Sequence, residues 1–167
     1  NLPGDLMNSV ASGDSIIVCG PPASGKTTLL RNVSEFCADH LLRRVVVVDD
    51  TGEMTGHSPR ENSIGTLART FCYPNSPSIV RSILDFNPGI VIFDDISEKS
   101  ARIAKNLIYS GVPVVTSLST RSSVDSVDVV DSVQRHPILN AIGENAFDAV
   151  FDCELKSRKK IPSRNEA

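Results

Sequence analysis

The sequence predicts an α/β fold in three layers, a parallel sheet with helices on both faces. Short apolar runs rich in β-branched residues alternate with stretches whose apolar residues recur at helical spacing. The runs are continuous rather than alternating, and Val45 to Val48 is four valines in a row, the pattern of strands covered on both sides. Polar or small residues follow four of these runs: Gly20, Asp49, Asp94, and Thr116 to Ser119. Sheets of this kind bind ligands beyond the C-terminal ends of their strands.

Taken in order, Gly4 to Ala11 reads as a short helix with Leu6, Met7 and Val10 on one side. Ser15 to Cys19 (SIIVC) is the first strand, and Gly20 to Gly25 is a Gly- and Pro-rich loop. A helix follows from about Lys26 to His40, with Leu29, Leu30, Val33, Phe36 and Cys37 at helical spacing. Val45 to Val48 is the second strand. Asp50 to Thr70 is polar and broken by Gly52, Gly56, Pro59 and Gly65, too long for a simple turn and so a candidate functional loop. Pro77 to Phe86 reads as a helix capped by Ser76, with Pro77 at its first position. Ile90 to Phe93 is the third strand, and Ser97 caps a helix that ends before Gly111. Val112 to Val115 is the fourth strand, Ser122 to Val133 a helix, and Asp148 to Glu154 a fifth, peripheral strand. Lys156 to Ala167 reads as a frayed tail, which gives a domain over residues 1–154 and a basic, flexible tail over 155–167.

A chain of 167 residues suits one domain with a sizeable core. The 40% hydrophobic and 22% charged fractions are those of a globular protein. A formal net charge of -3 gives no global attraction to nucleic acid or to an anionic membrane. The four cysteines, Cys19, Cys37, Cys72 and Cys153, form no CxxC pair, so zinc and a disulfide framework are not expected. A reducing intracellular compartment follows, cytoplasm or organellar matrix or stroma. No apolar stretch reaches transmembrane length, so membrane insertion is not expected. The chain opens on Asn1, as a processed protein or a domain of something longer would.

The most informative stretch is Gly20-Pro21-Pro22-Ala23-Ser24-Gly25-Lys26-Thr27-Thr28, a full match to the Walker A pattern GxxxxGK[ST]. It follows a strand and opens a helix, the context the motif requires. Glycines let the backbone curl so that N–H groups and the helix N-terminus face a phosphate. Lys26 is then the residue for the β- and γ-phosphates, and Thr27 offers its hydroxyl to Mg²⁺. No NKxD motif for guanine is present, so ATP or ADP with Mg²⁺ is the expected ligand.

Asp94 follows Val91-Ile92-Phe93 as a Walker B aspartate does, and its expected role is to hold the Mg²⁺ shell opposite Thr27. The bland reading is a helix cap. Asp95 has two readings of equal weight, a weak base for the attacking water and a helix-capping residue. A Glu there is one methylene longer, so Asp95 falls roughly 1.5 Å short, and misplacements of that size cost about a hundredfold. Glu53, in VVVVDDTGEMTG, is a second candidate carboxylate, against the plain reading of a solvated loop acid.

GPPASGKTTLLR, VVVVDDTGEMTG, SIVRSILDFNPGIVIFDDIS and GVPVVTSLS together resemble the stage III sporulation protein AA family, over roughly Gly4 to Glu154. That family is related to the type II and type IV secretion ATPases. The resemblance implies a P-loop NTPase of RecA/AAA-like, additional-strand catalytic-glutamate type with sheet order 5-1-4-3-2. It also implies ATP hydrolysis and assembly of a homo-oligomeric ring. Glu53 falls on an acidic-loop Glu important for hydrolysis in the secretion relatives. Arg81 falls on an Arg of the helix before Walker B, and either faces a neighbouring subunit's nucleotide or is a surface Arg. Arg60 and Arg69 are further candidates for sensing phosphate. Plastid and cyanobacterial relatives join this domain to a module that binds single-stranded nucleic acid.

Two residues depart from the family pattern. Walker B ends in Asp94-Asp95 rather than Asp-Glu. The strand-four motif, TAHG in relatives, reads Ser117-Leu118-Ser119-Thr120, which keeps a hydroxyl for γ-phosphate at Ser117 and lacks the His. Both weaken fast turnover and leave nucleotide binding intact. The expected function is thus a Mg²⁺-dependent ATPase motor or switch; the alternative is a slow or inactive nucleotide-binding module within a larger assembly. A small kinase is disfavoured because Ser122 to Gln134 is acidic rather than an Arg-rich lid. His136-Pro137 reads as structural. The basic cluster Lys156 to Lys160 reads as a solvated tail, with contact to nucleic acid or an acidic partner as the sharper reading. With no Trp and 5% aromatics, stacking on bases is not supported.

Overall fold

The computed structural model describes residues 2–56, 64–71, 78–120, 130, 133–134, 136–143, 146–153 and 157–161. Its elements run α1 (Gly4–Ser12), β1 (Ile16–Gly20), α2 (Lys26–Glu35), β2 (Val45–Val48), β3 (Ala68–Phe71), α3 (Ile79–Asp85), β4 (Ile90–Phe93), α4 (Glu98–Tyr109), β5 (Val114–Ser119), α5 (Pro137–Ile142), β6 (Ala149–Asp152) and β7 (Ser157–Lys160). Every residue of β1, β2, β4 and β6 is buried, as their continuous apolar runs require.

The strands form one sheet in the order β3-β2-β4-β5-β1-β6-β7. The expected five-strand sheet with order 5-1-4-3-2 is corrected to seven strands, each edge carrying one the sequence reading missed. Four-residue β3 pairs parallel with β2, and it reads as loop because its two central residues, Arg69 and Thr70, are polar and exposed. At the other edge β7 pairs antiparallel with β6, Ala149 opposite Lys160 and Asp152 opposite Ser157, so the sheet is not wholly parallel. The expected frayed tail is therefore partly a strand. Its basic SRKK composition reads as tail, yet charged residues are what natural sheets place on an edge.

Alternation along the strands sends side chains to two cores. Ile16, Val18, Val45, Val47, Ile90 and Ile92 meet Leu6 and Val10 of α1 and Leu30 and Val33 of α2. Ile17, Cys19, Val46, Val48, Val91 and Phe93 meet Ile79 and Ile83 of α3, Ile103 and Leu107 of α4, and Leu139 and Ile142 of α5. Helices thus cover both faces.

Several boundaries differ from the sequence reading. The helix expected from Lys26 to His40 is α-helical only to Glu35 and continues as a π-helical turn, Phe36–His40, in which Leu41 N–H reaches back to Phe36 O. β5 begins two residues later than expected and runs on through Thr116 and Ser117, both buried between β1 and β4. Ser97 caps α4 in a reciprocal capping box with Ser100. His136 caps α5, its Nδ1 accepting from Ile138 N–H with Pro137 at the first turn. Ser76, Pro77, Cys72, Arg60 and most of the expected Ser122 to Val133 helix lie outside the described residues. Among the described residues no helix is long and apolar enough to cross a membrane.

Candidate functional site

The C-terminal ends of β1, β2, β4, β5 and β6 share one edge of the sheet, and parallel registers bring Gly20 beside Ser119 and Cys19 beside Asp152. From β1 the chain curls through Gly20 to Gly25 into α2. A Cβ at Gly20 would lie 2.6 Å from Ser24 Oγ and 3.1 Å from Cys153 Cβ, so only glycine allows this curl. Gly25 sits at φ +89, in the left-handed region, and no side chain caps α2. The first N–H groups of α2 have no intrahelical acceptors, and the helix dipole makes this end positive. The Lys26 ammonium, 8% exposed, folds back to donate to the carbonyls of Gly20 (3.0 Å) and Pro21 (2.8 Å). The loop therefore holds a cation at the mouth of an anion cradle.

Across from it, Asp94 Oδ1 accepts from Thr27 Oγ1 and from Ser117 Oγ, both at 3.3 Å. Burial pushes the Asp94 carboxyl above the usual range; the two hydroxyls oppose this, while the charges of Asp49 and Glu53 add to it. A carboxylate held up in this way is stabilised by a cation. Paired with the Thr27 hydroxyl, it fits a hard divalent ion that takes oxygen ligands and keeps waters. Among the described residues no cluster of three or more His, Cys, Asp or Glu offers a self-contained metal cage. A Thr-Asp pair beside a phosphate cradle suits Mg²⁺ whose other ligands come from phosphate and water.

The geometry bears on three of the expected roles. Ser117 is 1% exposed; its hydroxyl donates to Asp94 at 3.3 Å and accepts from Asp95 N–H at 2.8 Å, which ties β5 to the Walker B turn. The helix-capping reading of Asp95, and the same reading of Asp94, is overturned, because Ser97 is the cap of α4. Asp95 is exposed and sits at φ +53, a left-handed backbone that Asp tolerates better than most residues.

Glu53 is carried on a turn that Asp49 builds. Asp49 is 1% exposed and stands directly after β2. Its Oδ1 accepts from Gly52 N–H (2.9 Å) and Thr51 Oγ1 (3.4 Å), and its Oδ2 from Thr55 N–H and Oγ1, both at 3.0 Å. Met54, fully buried, anchors the turn in the α1–α2 core. The Glu53 side chain is exposed, and its charge is felt at Asp94. Arg31 of α2 donates from Nε to Met54 O at 2.7 Å and from its guanidinium to Glu53 O. Sequence reading noticed Asp49 only as a polar strand end and missed Arg31. No sequence signal marks Arg31, because its partners lie 22 and 23 residues away.

Of the other candidates, Arg81 is exposed on α3, whose buried residues belong to the sheet face opposite α2. Arg69 is exposed on the edge strand β3. The structure thus gathers Gly20 to Thr28, Asp94, Ser117 and Glu53, and leaves Arg81 and Arg69 on other surfaces of the domain.

The chain is 29% identical over 160 residues to Protein SEEDLING PLASTID DEVELOPMENT 1 of Arabidopsis thaliana, covering 92% of this chain and 22% of that protein. It therefore spans about a fifth of that relative's length. Among solved structures, it resembles the VirB11 ATPase of the Brucella suis type IV secretion system, in complex with sulphate, with a TM-score of 0.61 and 18% identity over 88% of this chain and 45% of that one. It also resembles the pilus retraction motor PilT with bound ADP, with a TM-score of 0.63 and 13% identity over 91% of this chain and 46% of that one. At these identities the likeness is one of fold. The family model for Type II/IV secretion system proteins matches residues 8–135, and the chain belongs to that family.

Proposed function

We propose that this domain binds ATP with Mg²⁺ and hydrolyses it as one subunit of an oligomeric ring that works as a motor or switch. One observation carries the reading: Thr27 and Asp94 meet at 3.3 Å at the mouth of the Lys26 loop, on the same edge as a built turn bearing Glu53. Lys26 exchanges its two loop carbonyls for phosphate oxygens, a charge-assisted contact stronger than the neutral ones it gives up. Gly20 to Thr28 cradles the phosphates, and Thr27 and Asp94 hold the Mg²⁺ shell. Mg²⁺, when bound, neutralises charge on the phosphate oxygens. Glu53 orients and deprotonates the attacking water, and Ser117 keeps Asp94 in place. The finer kinship, with the stage III sporulation protein AA family, rests on the motif set around Gly20, Asp49 and Asp94. Ring assembly rests on the secretion ATPase family, and Arg81 and Arg69 are then candidates for contact with a neighbouring subunit.

A second reading is a nucleotide-binding module that turns over slowly or not at all. It is favoured by Asp95, a shorter acid than the Glu of the family's Walker B, exposed on a left-handed backbone. Titration calorimetry with ATP, with and without Mg²⁺, tests the shared part of both readings. Binding that strengthens with Mg²⁺ and loses that gain in Asp94→Asn is expected; Mg²⁺-independent binding would remove the Thr27–Asp94 site from the account.

A further inference from the structure

We propose that Arg31 is a positioning residue: it holds the backbone of Glu53 and Met54 so that the Glu53 carboxylate stands at the phosphate mouth, and so sets the hydrolysis rate without contacting nucleotide. This rests on Glu53 being the hydrolytic carboxylate. The side of α2 and its π-helical continuation that bears Arg31 also bears Ser34, Ala38 and Asp39, at spacings of three, seven and eight. Each fastens the segment between β2 and β3. Ser34 Oγ donates to Ile64 O at 2.6 Å, and Asp39 Oδ1 accepts from Thr66 N–H at 2.8 Å and Thr66 Oγ1 at 2.6 Å. A Cβ at Gly65 would fall 2.4 Å from Ala38 Cβ, so the backbone there lies directly on the helix. The late part of the segment is thus strapped to α2, and Arg31 straps the early part.

Arg31 grips the carbonyl of the residue that carries the carboxylate, whose N–H donates to Thr51 Oγ1 at 3.3 Å. Its two donors go to two successive carbonyls, Glu53 O and Met54 O, a task for a planar fork that a point-charge ammonium does not reproduce. With Met54 buried below and Asp49 tying Gly52 and Thr55 on either side, the Glu53 backbone is fixed from three directions. Arg31 lies five residues beyond Lys26, about 7.5 Å down the helix. The helix that receives the phosphates at one end therefore carries the Glu53 backbone on its flank.

The test is single-turnover hydrolysis of Mg²⁺-ATP and the ATP dissociation constant for wild type, Arg31→Ala, Arg31→Lys, Glu53→Gln and the Arg31→Ala/Glu53→Gln double variant, with melting curves to confirm folding. Arg31→Ala is expected to slow cleavage roughly ten- to hundredfold, as ångström misplacement does, with affinity held within about twofold. Arg31→Lys recovers only part of the rate. In the Glu53→Gln background Arg31→Ala adds no further slowing, because both changes remove the same function. Hydrogen exchange at the Gly52 and Thr55 amides rises in Arg31→Ala, a readout that needs no turnover. Affinity falling in step with rate, equal slowing in both backgrounds, or unchanged exchange and rate would each overturn the proposal. Wild-type cleavage in Glu53→Gln would instead overturn the hydrolytic reading on which it rests, and the positioning role with it.

Discussion

The phosphate loop and the Glu53 turn flank the same mouth and are built in opposite ways. The loop from Gly20 to Thr28 is local. Glycines curl it, the helix it opens supplies the field, and its lysine reaches back only five and six residues. The Glu53 turn is local in its Asp49 clasp, a buried carboxylate that serves four donors, but is held to α2 from a distance by Arg31, 22 and 23 residues away. Binding chemistry thus sits in a compact motif, and the chemistry that would split the nucleotide depends on how the chain packs. Binding and turnover should be separable by mutation.

The largest effect expected from that separation is on Asp49→Ala. Losing a buried carboxylate that organises the turn should cut single-turnover cleavage by up to about a hundredfold with ATP affinity retained. It should also cost roughly 2–3 kcal/mol of stability in a denaturant melt, as loss of hydrogen bonds to a charged group does. Equal losses of affinity and rate would erase the distinction between the two regions. The converse variant, Lys26→Ala, removes a charge-assisted contact and should weaken ATP binding roughly ten- to hundredfold by calorimetry. Hydrogen exchange at Gly52 and Thr55 should stay unchanged in it.

A pH series sharpens the comparison at Asp94, which faces both regions. Burial, aided by Asp49 and Glu53, raises its carboxyl above the ordinary 3.8. Its folded value thus exceeds its unfolded one, so its contribution to stability is present below the unfolded value and is lost as pH rises through the folded one. A bound divalent ion offsets that loss. The rise in melting temperature on adding Mg²⁺ and nucleotide should therefore be small at the acid end, grow as pH climbs above 3.8, and flatten in Asp94→Asn. The smallest effect belongs to Asp95→Asn. An exposed carboxylate without a built environment should change the cleavage rate by less than about tenfold, below the range of a positioned acid or base.

What was legible in the sequence follows the same division. The Lys26 loop with Thr27, the Walker B run that ends in Asp94 and the buried strands are each written in contiguous residues, so period and motif reach them. The Arg31 strap joins residues 22 and 23 apart, and the Asp49 clasp, though local, follows no motif, so no spacing rule points to either. β3 and β7 were missed because an edge strand needs one covered face at most, which leaves Arg69 and the basic SRKK run looking like loop and tail. Ser117 was read from its hydroxyl alone, and only the fold reveals that this hydroxyl also donates to Asp94.

The most direct test of the central claim is single-turnover hydrolysis of Mg²⁺-ATP with protein in excess, concentrated enough for any oligomer to form, comparing wild type with Glu53→Gln. The account predicts cleavage in the wild type and a loss of about a hundredfold or more in Glu53→Gln, the range of a lost general base, with ATP binding preserved. Equal cleavage by both proteins would contradict it, and tight binding with no cleavage in the wild type would leave a nucleotide-holding module in its place.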